Sequence, residues 1–230
     1  MSLPGTLADS TLAKILDRFP VTLEEDRALT SPMSPAPVGH IRIYRGNGPV
    51  VKVVNVGLVV PPIGLDSHMI FAFTAPSSGV PHFTLDSVAN GENYAFHLDL
   101  IPRIDLATSL PYLDEVYEPL TSLYQSVRDR DGLTPAHLTP RQYALMSPWM
   151  LVNRATEEAF TGIGDAVDAY FTHWATLVDK GVDAAGTAER DAAHRELLFS
   201  PEIDPVWKQT VRLLGEEQSE SVRLALVSND

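Results

Sequence analysis

The stretch Val80-Pro-His-Phe-Thr-Leu-Asp-Ser-Val-Ala-Asn-Gly-Glu-Asn-Tyr-Ala-Phe-His-Leu-Asp-Leu-Ile-Pro102 decides how this chain is read. Two runs of alternating apolar and polar residues flank Asn90-Gly91, the dipeptide that most readily supplies the positive φ angles of a tight hairpin turn. Taking Asn90-Gly91 as a two-residue loop fixes a register in which His82 faces Asp99, Thr84 faces His97 and Asp86 faces Ala95. One face of the hairpin then carries Phe83, Leu85, Phe96 and Leu98. The other gathers His82, Thr84, Asp86, His97 and Asp99, with opposed Cβ atoms about 4.5–5.5 Å apart.

Working outward, Ile41–Arg45, Val50–Val60 and His68–Thr74 upstream are short β-branched or aromatic runs split by turn residues. With His82–Val88 and Tyr94–Leu100 they make five strands, mostly hairpin-linked, hence an antiparallel sheet over about residues 40–106. Trp149-Met-Leu-Val152 is a candidate sixth. An amphipathic helix over residues 9–19 opens the chain, with Asp9 or Ser10 as N-cap, and the Ser/Pro-rich segment 31–37 interrupts it. Helical spacing returns at Tyr112–Arg128, Thr156–Lys180, Thr187–Phe199 and Asp204–Leu226. Strands followed by helices give an α+β order, and 230 residues suit one domain, 1–230, with C-terminal helices over about 112–228.

Composition narrows the function. The chain has no Cys, so disulfides, thiolate metal sites and cysteine nucleophiles are excluded and any electrons for redox chemistry come from outside. Asp and Glu total 30 against 17 Lys and Arg, a net charge of −13 that argues against nucleic acid as a partner. No run approaches the roughly 20 apolar residues that span a bilayer, and the first twenty residues lack the pattern of a signal peptide, so a cytoplasmic protein is expected. Gly46-Asn-Gly48 and Gly162-Ile-Gly164 lack the strand, helix and acidic residue of a dinucleotide site.

The polar hairpin face admits three readings. It is a solvated sheet face, since antiparallel sheets often leave one side in water. It is a mixed nitrogen and oxygen metal site of His82, His97, Asp86 and Asp99, although no dense ligand motif accompanies it. Or it is a covered patch in which desolvation and carboxylate repulsion let an acid hold its proton near neutrality, with imidazoles to relay protons.

The same stretch resembles the central hairpin of the ferredoxin-dependent bilin reductases, through Pro81-x-Phe83-x-x-Asp86 and Asp99-Leu100-x-Pro102. The continuation Pro102-Arg-Ile-Asp-Leu106, with Pro111-Tyr-Leu113 and Tyr117, is similar to red chlorophyll catabolite reductase, the plant branch of that superfamily. The resemblance runs from about Val80 to Tyr117 and extends over residues 40–75 and 186–226. It implies an α/β/α sandwich, a central antiparallel sheet of about six strands flanked by helices on both faces, with an open-chain tetrapyrrole between the sheet and the C-terminal helices. It implies reduction by single electrons from an external reduced ferredoxin, with no bound cofactor and Asp86 as the proton donor. The alternative is a non-catalytic binding protein for a tetrapyrrole or other planar acid.

Further roles follow from the same resemblance. Met69 stands where bilin reductases place a histidine, with His68 beside it, so His82 is the candidate to supply the imidazole. Asp191, in Arg190-Asp191 with Arg195 four residues on, and Asp204, ahead of Leu214-Gly-Glu-Glu217, are candidates for the carboxylate on the other side of the pigment. Asp204-Pro205 also reads as a helix start. Arg103 suits a pigment propionate, or a surface ion pair with Asp105. Thr84, His97 and Asp99 complete the expected pocket floor, and a homodimer is among the open assemblies.

Overall fold

A computed structural model describes residues 2–228, so residues 1, 229 and 230 of the expected domain lie outside the described residues. The chain opens with α1 (Leu3–Arg18). It starts six residues before the anticipated position because Ser2 Oγ caps the backbone N–H of Gly5 at 3.1 Å and Pro4 occupies the first turn, where its missing N–H costs nothing. Ala8, Leu12 and Ile15 form its buried stripe.

Among the described residues eight strands follow, not six: β1 (Val21–Ser31), β2 (Ser34–Gly46), β3 (Val50–Val60), β4 (Leu65–Thr74), β5 (His82–Asn90), β6 (Asn93–Ile101), β7 (Leu133–Pro135) and β8 (Leu151–Ala155). They lie in the order β1-β2-β3-β4-β5-β6-β8-β7, and every neighbouring pair is antiparallel. The strand sequence reasoning missed upstream, β1, is an edge bearing Glu24, Glu25, Asp26 and Arg27. Charges of this kind keep a sheet edge from pairing with other chains and hide it from a propensity reading. The Ser/Pro segment forms the turn and first residues of β2. Pro35 and Pro37 fit there because they fall in a register irregularity with β1, before pairing with β3 begins at Gly39.

The helices are shorter than their sequence windows. The first becomes α2 (Leu110–Val116) and α3 (Thr121–Arg128), and α4 (Pro140–Tyr143) precedes β8. The next splits into α5 (Glu157–Thr161) and α6 (Gly164–Lys180). After α7 (Thr187–Leu198), the last window divides into α8 (Val206–Leu214) and α9 (Glu216–Val227) at Gly215, whose φ of 81° no helix accommodates.

Two cores sandwich the sheet. On one side Val53, Ile70, Phe83, Leu85, Phe96 and Leu98 pack against α1 and α6 through Leu12, Ile15 and Trp174. On the other, Ile41, Val54, Val56, Phe71 and Phe73 pack against α7, α8 and α9 through Leu198, Trp207, Leu214 and Val222. Tyr170, Trp174, Leu177 and Val178 of α6 are wholly core, whereas Val211 of α8 is 37% exposed.

Candidate active site on the β5–β6 hairpin

The hairpin turns at Gly91-Glu92, not Asn90-Gly91, so Asn90 pairs with Asn93, Thr84 with Asp99, and Asp86 with His97. Gly91 has φ 61° and no non-glycine residue among the described residues has positive φ, which is the type II′ pattern with one left-handed centre instead of two. The correction moves the partner by two residues. Each side chain therefore keeps its expected face while every opposed pair changes.

The consequence is a direct Asp86–His97 pair, with Oδ2 and Nδ1 3.3 Å apart. Met69 of β4 flanks Asp86 and Val152 of β8 flanks His97, so the pair sits mid-sheet in a row otherwise apolar. Asp86 keeps 36% of its side chain exposed and His97 14%. Burial pulls the His97 imidazolium down, but the hydrogen bond and charge of Asp86, with the charges of Asp99 and Asp204, outweigh it and leave its pKa raised. Nε2 of His97 is buried and meets no hydrogen-bond partner among the described residues.

Behind the pair, Asp99 is fully buried and accepts from the backbone N–H of Ser147 at 3.0 Å and from its hydroxyl at 2.5 Å. Burial raises its pKa, offset in part by His97 and these bonds. Asp99 thus anchors the approach to β8, through a serine that sequence reasoning did not single out. Thr84, its register partner, is buried. Above them Asp204 accepts from the N–H of Val206 at 3.0 Å, the bond expected of a helix-start residue. Its carboxyl is also pushed up, first by burial and then by the charge of Asp86, so it lies within electrostatic reach of the pair.

His82 does not join Asp86. Four residues along β5, about 13 Å away, it is buried in a separate network. The backbone N–H of Thr74 donates to its Nδ1 at 3.1 Å, while Nε2 meets Asp191 Oδ1 at 2.8 Å and also the Arg103 guanidinium. Burial and then the charge of Arg103 pull its pKa down to about 3, so the ring is neutral. Asp191 is also held by Arg103 and, at 3.7 Å, by Arg195. Burial acts to raise its pKa, and these partners overcome that to bring it to about 2.

Arg103 pairs with Asp191 and not with Asp105. It is 2% exposed, bonds Asp191, and donates to the carbonyls of Ser78, Ala75 and Pro76, fixing the β4–β5 connection. Asp105 instead accepts from the N–H of Ala107. His68 points to the opposite sheet face, bonded to Asp66 at 2.7 Å and next to Gly5 of α1. Among the described residues no group of three or more His, Asp or Glu is arranged to hold a metal ion. Two cavities stand out, about 430 Å³ beside Ile104, Tyr112 and Arg190 and about 130 Å³ beside Tyr124 and Met150; Asp86 lines neither. The roomy cavity expected above Asp86 is thus in neither place, and the carboxylate opens toward solvent beside the helical layer.

One antiparallel sheet with helices on both faces is a fold that recurs in a known structure. Among solved structures the chain is similar to phytochromobilin synthase from tomato, determined in complex with biliverdin. The TM-score is 0.78 at 17% sequence identity, covering 98% of this chain and 85% of that one. No protein-family model matches the sequence, and no curated protein does. No helix among the described residues is long and apolar enough to cross a membrane.

Proposed function

We propose that this chain reduces an open-chain tetrapyrrole, a bilin or chlorophyll catabolite, using electrons supplied one at a time by an external ferredoxin-type protein. The observation that carries the reading is the Asp86–His97 pair at mid-sheet, its carboxylate partly exposed, in a fold shared with a protein solved around biliverdin. Two one-electron transfers and two protons saturate one double bond of the pigment, while two equivalents of donor are oxidised. Asp86 delivers a proton to the reduced pigment, and His97, hydrogen-bonded to it and biased toward imidazolium, reloads it. Asp204 faces the pair from the helical layer, and Thr84 and Asp99 shape the floor. His82, Asp191 and Arg103 hold the helical layer on the sheet and do not touch the pigment.

Anaerobic mixing of the full chain with biliverdin, ferredoxin and its reductase tests this. Loss of the long-wavelength pigment band with product formation is expected. An unchanged spectrum with both biliverdin and red chlorophyll catabolite would overturn the reductase reading. Met69 beside Asp86, where the resemblance places histidine, favours the second reading of a tetrapyrrole-binding protein without turnover. Pigment bound tightly but left intact by every one-electron donor would select it.

A further inference from the structure

A chain of net charge −13 that takes electrons from an acidic protein needs cations left outside internal ion pairs, because those are what a partner's carboxylates meet. The cationic positions earliest in the sheet do not qualify. Arg42 is bonded to Asp26 and Arg45 to Glu24, and Lys52 is buried against the Ser228 carbonyl. Arg128 is likewise paired with Asp129, and Arg130 donates to the Gly162 carbonyl.

Lys208 and Arg212 differ. Both are exposed, and neither has an ion-pair partner among the described residues. They stand four residues apart on α8, so they share one face, opposite the buried Trp207 and Leu214. The helix, Val-Trp-Lys-Gln-Thr-Val-Arg-Leu-Leu, holds two cations and no acid. Val206 and Val211, 46% and 37% exposed, place apolar surface beside the charges. Glu216 and Glu217, past Gly215, bound the strip at one end. Arg141 and Arg154 are also exposed and unpaired among the described residues, but each is the lone cation of its element. The location matters as much as the charge. Asp204, two residues before α8, is near enough to Asp86 and His97 for their charges to act on one another, so α8 starts close to the pair.

We infer that the outer face of α8, centred on Lys208 and Arg212, is the docking surface for an acidic one-electron iron–sulfur protein. The inference rests on the reductase reading and supplies its missing partner contact. Each encounter moves one electron from the reduced cluster, which is oxidised by one unit, across α8 to the pigment; two encounters complete one reduction. Cations facing an acidic partner accelerate the encounter and make it fall with ionic strength.

Binding of a plant-type ferredoxin to the full chain, measured by titration at low and high salt, tests the surface without requiring turnover. The native chain is expected to bind, more weakly as salt rises. Lys208→Glu with Arg212→Glu is expected to weaken binding at least tenfold, with circular dichroism unchanged, while Arg141→Glu leaves it unaltered. Equal binding by the double variant, no binding by the native chain, or attachment of anionic phosphatidylserine vesicles in place of ferredoxin would overturn the assignment. Turnover with a small-molecule one-electron donor is read in parallel and is expected to survive the double substitution. If ferredoxin binds as described and no donor of any kind reduces the pigment, the reductase reading fails and the docking surface stands.

Discussion

Asp86 Oδ2 and His97 Nδ1 stand 3.3 Å apart on facing positions of β5 and β6, and the second ring nitrogen of His97 is buried with no hydrogen-bond partner among the described residues. One side of the imidazole is thus committed to the carboxylate, and the other is shut away from solvent. The Asp86 bond and charge are the leading causes that raise His97 against the pull of burial. Asp86→Asn therefore lowers the His97 pKa, measurable by NMR titration of the ring. The same substitution keeps the bound-pigment spectrum and reduces turnover about a hundredfold. Undiminished turnover would remove Asp86 from proton delivery.

The raised pKa of His97 also has a signed effect on folding. A histidine held above its unfolded value adds stability that is complete below about pH 6.5 and is lost as pH rises through the folded value. Urea melts of the native chain and His97→Gln should converge on the alkaline side of that window. A constant gap at every pH would contradict the ion pair.

Asp191 neutralises a site where Arg103 and Arg195 are almost wholly buried. Asp191→Ala leaves both guanidinium groups without their carboxylate, a loss of about 3–5 kcal/mol. In a chain of this size that lowers Tm by on the order of 10 °C. Calorimetry showing a shift of a degree or two would mean that the loop and C-terminal carbonyls alone satisfy the two arginines.

His82 gives acid sensitivity of a different origin. Its folded pKa, about 3, lies below the unfolded value. The unfolded chain therefore binds the extra proton first, and stability drops as pH falls from about 6.5 toward 3. Asp191, lowered to about 2, adds a loss that begins only below about pH 4. His82→Gln, which keeps a donor for Asp191, should flatten the first part of that decline in thermal melts. An unchanged slope would assign the decline elsewhere, His194 being the next histidine held low, to about 4.

The turn offers a test of register. Gly91→Ala meets no neighbouring atom but must hold φ 61°, at a cost of about 1–2 kcal/mol, while Asn90→Ala, at negative φ, should change stability by less than half of that. Equal losses at the two positions would point to a turn with two left-handed centres.

Much of the hairpin was legible because period-two alternation fixes faces independently of which dipeptide turns the chain. The opposed pairs were not, since Asn90-Gly91 and Gly91-Glu92 both fit the same local pattern and differ only in the sign of one φ. Sequence grouped His82 with Asp86 because they share a face. It could not show that Asp191, 109 positions away, would claim the imidazole; the trace left in sequence is the Asp191–Arg195 spacing of four on one helix. The long helix expected over Asp204–Leu226 ran through Gly215 because a single glycine weakens a helical pattern without abolishing it.

Arg195 also donates to the carbonyls of Leu226 and Ser228 at 2.7 and 2.6 Å and lies 3.9 Å from the Phe73 ring centre, so one side chain of α7 fastens the far end of α9 to the sheet. Lifting α7 would strand a carboxylate and two guanidinium groups in an oily interior at once. The α8 segment carries none of that penalty. None of those ion pairs involves α8, so the spine of the helical cover runs along α7 and its fore-edge along α8.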